Sequence, residues 1–124
     1  MKWMITVPKK VADMIVSGKQ KVYFTPKMND LVYRGDVIFM NEEDSGGKVV
    51  GVFIVADRIC NSPNGFWDIY GNLTGWSKKE FFEFCKEVRL IYGVRIKDAA
   101  PADKSYTIRD FGLSQPPSEM VYLS

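Results

Sequence analysis

The chain contains no histidine. That absence removes Ser-His-Asp and Cys-His catalysis, HExxH metal sites and the usual pH switch together. Any acid-base chemistry falls to Lys, Tyr, Asp or Glu. Cysteine is nearly as scarce: Cys60 and Cys85 stand far apart with no CxxC or other ligand spacing, so neither a zinc site nor a disulfide framework is indicated. Both are expected as small core residues, and no metal or cofactor is expected. Long hydrophobic runs are also missing. The longest, Val49 to Ala56, suits a buried strand and is far too short to cross a bilayer. Lys9, Lys10 and Asp13 break any apolar region near the start, so no signal peptide is read there and the expected compartment is the cytoplasm. No linker, low-complexity tract or internal repeat divides the chain. Residues 1–124 are expected to form one domain, and 46% hydrophobic residues supply enough apolar surface for one core.

Net charge is only +2, but it is unevenly spread. Residues 1–40 hold seven Lys/Arg against three Asp, and the rest hold ten Lys/Arg against twelve Asp/Glu. A basic N-terminal third suits contact with a polyanion, although an ordinary solvated surface has the same composition.

Periodicity gives the elements. Met1 to Val7 reads as a short apolar strand. Pro8 fits the first turn of a helix, Val11, Met14 and Ile15 form its apolar stripe, and Gly18 is its stop. Lys19 to Phe24 switches to period two, with Val22 and Phe24 on one face and Lys19, Lys21 and Tyr23 on the other. A turn region through Pro26, Asn29 and Asp30 leads to Gly35-Asp36 and a strand that points Val37 and Phe39 inward. Asn41 to Lys48 reads as an acidic hairpin loop, and Val49 to Ala56, apolar at nearly every position, as a central strand covered on both faces. In Cys60 to Gly75 the Pro63-Asn64-Gly65 run signals a turn. Ser77-Lys78-Lys79-Glu80 has the form of a capping box, so a second helix starts there. Leu90 to Lys97 alternates again, with Tyr92, Val94 and Ile96 inward. Pro101 is expected in a loop, and Met120 to Leu123 is a short apolar end. Short turns between the central strands argue against parallel βαβ winding. The expected fold is α+β: a small, mostly antiparallel β-barrel with two flanking helices.

Several stretches, in this order and spacing, resemble the ASCH domain of the PUA-like superfamily over nearly the whole chain. They are the helix running into Ser17-Gly18-Lys19, the Arg34-Gly35-Asp36-Val37 strand start, the Gly-interrupted strand Lys48 to Phe53, the helix Ser77 to Phe84 and the tail Pro116-Pro117-Ser118 through Tyr122. The resemblance implies a PUA-like barrel associated with nucleic acid. It also implies that some relatives are small amidohydrolases of acylated cytidines that depend on a lysine after the first helix. The family pattern there is roughly G-x-K-x-x-E-x-R. This chain has Gly18, Gln20, Tyr23 and Thr25 at those places, so the lysine, glutamate and arginine are absent and that activity does not carry over.

The site read from the residues is a basic face with one aromatic. Ammonium groups displace counterions at phosphates while a ring stacks on an exposed base. Lys19, Lys21 and Tyr23 are expected to face solvent together at a groove beside the first helix, with Arg34 approaching from the neighbouring strand. Exposed lysines on an outer strand equally serve to block edge pairing. Trp67 and Tyr70 are candidates for stacking on a base, although aromatics near a loop more often pack against the adjoining helix. Asp36 is expected to hold turn N–H groups. No catalytic residue declares itself. The function expected is a non-catalytic module that binds RNA or a modified nucleotide. The alternatives are a small amidohydrolase or ribonuclease using the same cleft, with Lys21 in place of the missing lysine, and an interaction domain without nucleic-acid contact.

Overall fold

Alternation along Lys2–Val7 (β1) buries Trp3, Ile5 and Val7 in one cluster and sends Met4 to the other face. Pro8 then opens helix α1, Lys9–Val16, whose stripe of Val11, Ala12 and Ile15 lies in the same cluster. The remaining elements of the computed structural model, which describes residues 1–124, are β2 (Val22–Thr25), β3 (Val37–Glu42), β4 (Lys48–Asn61), α2 (Pro63–Thr74), α3 (Lys78–Phe84), β5 (Ile91–Thr107), a 3₁₀ turn (Ile108–Phe111) and β6 (Val121–Leu123). The six strands form one sheet in the order β2-β5-β4-β3-β1-β6. Every neighbouring pair is antiparallel except β1 with β3. No helix is long and apolar enough to cross a membrane.

Three register shifts along β4, between Val49 and Gly51, Val52 and Ile54, and Val55 and Asp57, bend the sheet, since each bulge adds local twist. The sheet coils far enough to enclose a core but does not close. Its two end strands, β2 and β6, are not paired, and residues 26–36 fill the seam between them. Met28 and Val32 of that loop are buried with Trp3, Ile5 and Val94, and Met120 packs on the same cluster. Lys27 meets Glu119 across the seam at 3.1 Å. Arg58 ties the loop down by donating from Nη1 to the carbonyls of Asn29 (2.7 Å) and Val32 (3.0 Å). The expected barrel is thus an open, coiled sheet.

Several expectations need correcting. In β3 it is Ile38 and Met40, not Val37 and Phe39, that enter the main core, because the strand is set one residue out of phase with that reading, and Cys60 is exposed while only Cys85 is buried. Pro63-Asn64-Gly65 begins a helix, so the sheet carries three helices instead of two. Ser62 is its N-cap, with Oγ accepting from the Gly65 amide; Pro63 takes the first helical position, where a missing N–H costs nothing; and Gly75, at φ 71°, ends it. Pro101 lies within β5, which runs for 17 residues. Beyond Ile96 that strand has only β4 as a partner, and a one-sided edge tolerates a residue without N–H. The Ser77 helix stands as expected, with both halves of the capping box made.

The second cluster fixes what lies beneath the site. Val22, Phe24, Ile59, Phe66, Phe81, Cys85 and Ile91 are buried together, and they dock α2 and α3 on the outer face of β2. Gly75 then turns the chain back so closely that a Cβ there would stand 2.7 Å from the Lys19 carbonyl and 2.7 Å from the Met14 methyl. This approach brings the α2–α3 junction against the end of α1.

Candidate nucleic-acid interface

The contact between Gly75 and α1 leaves a groove along the helix. Its deeper part, about 170 Å³, runs between Pro8, Val11 and Met14 on one side and Trp76 on the other, with Lys10 and Glu80 at its mouth. A shallower part continues past Met14 and Ser17 to Lys19. Trp76 is half-buried and held on edge by Phe24 (ring centroids 4.9 Å) and Phe84 (5.6 Å). Its indole N–H donates to Gln20 Oε1 at 3.0 Å, which fixes the ring as a rigid wall.

Gln20 occupies the place where the family pattern has lysine, and it is only 2% exposed. Its Nε2 donates to the Val22 carbonyl at 2.9 Å while its Oε1 takes the Trp76 proton. The side-chain amide therefore works inside the fold, because a buried polar group must find partners within the protein. Lys21 does not replace it. Lys21 is exposed and lines, together with Gln20, Lys97 and Asp98, a depression on the other flank of α1.

The predicted site residues separate. Lys19 and Lys21 are both exposed, but the turn at Gly18 to Gln20 sends them to different sides, Lys19 to the Trp76 groove and Lys21 to the second depression. Tyr23 faces inward. Its ring lies 6.4 Å from that of Phe53 and packs on the main core, and burial pushes its phenol pKa above the ordinary value. Within β2 the side chains alternate as expected, Val22 and Phe24 to one side and Tyr23 to the other, but both faces are covered, one by α2 and α3 and the other by the interior of the coiled sheet. Arg34 is exposed and precedes β3, which β5 and β4 separate from β2. Arg34 therefore does not lie on a strand next to β2. Trp67 packs on Phe81 (5.1 Å) and Phe82 (6.2 Å), and Tyr70 on Phe66 (5.3 Å). Neither lines the groove. Trp76 does, a residue that sequence reasoning did not single out although its place beside Gly75, immediately before the capping box, could have marked it.

Charge around the groove is mixed. Lys9 pairs with Asp13 at 3.0 Å, which raises the lysine pKa by hydrogen bond and charge, and Lys10 meets Glu80 at 3.5 Å. The Ser77 backbone and hydroxyl, then Lys10, hold the Glu80 carboxyl below its usual pKa. Lys19 has no ionic partner, so one free ammonium group stands at the rim. No group of three Cys, Asp or Glu side chains is gathered as a metal site.

No family model matches the chain, and no curated protein matches it. Solved structures do. The crystal structure of ASCH from Zymomonas mobilis superposes with a TM-score of 0.88 at 19% identity, covering 99% of this chain and 87% of that one. A Pyrococcus furiosus protein solved in solution gives 0.53 at 18% identity, over 84% of this chain and 100% of that one. The N-terminal domain of Staphylothermus marinus McrB gives 0.53 at 8% identity, over 88% and 77%. These likenesses bear out the resemblance at the level of fold.

Proposed function

We propose that this chain, which has the ASCH-type fold, is a non-catalytic module that binds single-stranded RNA or a nucleotide along α1. The observation that carries the reading is a free ammonium group, Lys19, at the rim of a groove whose wall is the fixed ring of Trp76. A ring held on edge offers a base a surface without the entropy of ordering it, while an unpaired cation gives a phosphate a partner that displaces no internal carboxylate. Lys10 stands at the same mouth, and Lys21 serves the strand as it leaves the groove. Fold likeness supports the nucleic-acid reading only by analogy.

The hydrolase reading has less support. The lysine position is a buried, doubly bonded Gln20, which puts no free amine there. Turnover of an acylated cytidine abolished by Lys21→Ala would revive it.

The test is a fluorescence anisotropy titration of labelled single-stranded RNA at low and at raised salt. We expect salt-sensitive binding that weakens by about tenfold or more in the Lys19→Glu/Lys21→Glu variant, with a shallower salt slope because phosphate contacts are lost. Unchanged affinity and slope would remove the groove from consideration.

A further inference from the structure

A second surface lies at the seam filled by residues 26–36. Its floor is one buried node: Asp36 accepts from the Trp3 indole (2.9 Å) and from the Tyr33 amide (2.9 Å), and Trp3 meets the ring of Tyr122 edge-on at 5.5 Å. Around this node three large apolar side chains stand out in solvent, Leu31 at 62%, Tyr33 at 72% and Tyr122 at 53% exposed. The loop is not loosely placed. Arg58 holds two of its carbonyls, Leu31 N–H donates to Asn29 Oδ1 (2.9 Å), and the Gly35 amide reaches the Val55 carbonyl (2.8 Å). Exposure of the rings is thus imposed by the fold.

The charges at this seam are lopsided. Three carboxylates here have cationic partners: Asp30 lies 3.9 Å from Arg58, Glu119 lies 3.1 Å from Lys27, and Asp36 holds the terminal ammonium at 3.0 Å. Arg34, beside Tyr33, has none. Two exposed phenol rings and an unpaired cation, Arg34, match a polyanion that carries flat rings.

Resting on the RNA reading, we infer that this seam is a second contact for the same single strand, with bases stacked on Tyr33 and Tyr122 and a phosphate on Arg34. This returns Arg34 to the interface, though away from the groove to which the sequence assigned it.

The test uses the whole chain and a short labelled oligouridylate in anisotropy titrations. Tyr33→Ala removes a ring that is mostly in water and leaves the backbone bond to Asp36, so the variant keeps the fold. It and Tyr122→Ala should each weaken binding by about fivefold or more, and Arg34→Gln should lower the salt slope by about one. Loss of affinity in the Lys19→Glu/Lys21→Glu variant with none in the seam variants would overturn this inference and leave the groove standing. No binding by the natural chain would overturn both. Concentration-dependent dimers in light scattering, abolished by Tyr33→Ala without an effect on RNA, would reassign the seam to self-association and overturn the inference as well.

Discussion

At the residue scale, Asp36 shows how a buried carboxylate is kept ionised. Burial pushes its pKa up, yet the Trp3 indole, the terminal ammonium and the Tyr33 amide outweigh that, and the net shift is downward from 3.8. A depressed folded pKa contributes stability that is fully present above the unfolded value and is lost as pH falls through the folded one. Asp36→Asn should therefore cost about 1–3 kcal/mol near neutral pH, and its deficit should shrink as pH drops below 3.8. Urea midpoints for both proteins across that range check this; parallel curves would mean that another group carries the acid sensitivity. The structural part played by Asp36 was readable from Gly35-Asp36 at a strand start, because turn carboxylates satisfy nearby N–H groups. Its bond to Trp3 was not, since nothing local links residues so far apart in the chain.

At the scale of elements, α1 is positioned by a glycine in the strand below it. A Cβ on Gly51 would stand 2.8 Å from the Met40 methyl, 3.1 Å from the Ala100 carbonyl and 3.1 Å from Val16 Cγ2. The methyl can swing aside, but the carbonyl and the helix residue are held. Gly51→Ala should destabilise the protein by about 1–3 kcal/mol, as overpacking does, and should widen the groove by lifting the C-terminal turn of α1. Denaturant unfolding reads the first effect and RNA affinity the second; an unchanged midpoint would show that the helix yields freely. The break in the apolar run at Gly51 was visible in the sequence as a feature of the strand, but its purpose appears only with α1 laid across it. The sequence leaves α2 ambiguous for a related reason. Pro-Asn-Gly satisfies turn chemistry and a helix N-terminus alike, and the choice is made by Phe66, whose ring has to reach Phe24 and Phe81.

At the scale of the whole molecule, the question is what holds the open sheet shut at its seam. The Lys27–Glu119 pair spans it, but the two side chains are 77% and 61% exposed, and such pairs are worth about 0–1 kcal/mol. Burial of Met28 and Val32 against Trp3 and Ile5 is the larger effect. Met28→Ala should cost about 2 kcal/mol or more, whereas Lys27→Ala should change the thermal midpoint little; the reverse ranking in calorimetry would assign closure to the ion pair. The local chemistry of the chain was enough to determine most of the strands, the first helix and the Ser77-capped helix, the mostly antiparallel sheet and the absence of histidine-based catalysis, because periodicity, caps and composition act over a few residues. Tertiary structure alone decided which faces meet solvent. Coiling the sheet turned Tyr23 into the core and left Arg34 before β3, which β5 and β4 separate from β2, while the turn at Gly18 to Gln20 parted Lys19 from Lys21 and the α2–α3 junction set Trp76 on the groove wall. A period-two pattern distinguishes two faces of a strand, but only the curvature of the sheet determines whether the second face looks out on water or in on another layer of side chains.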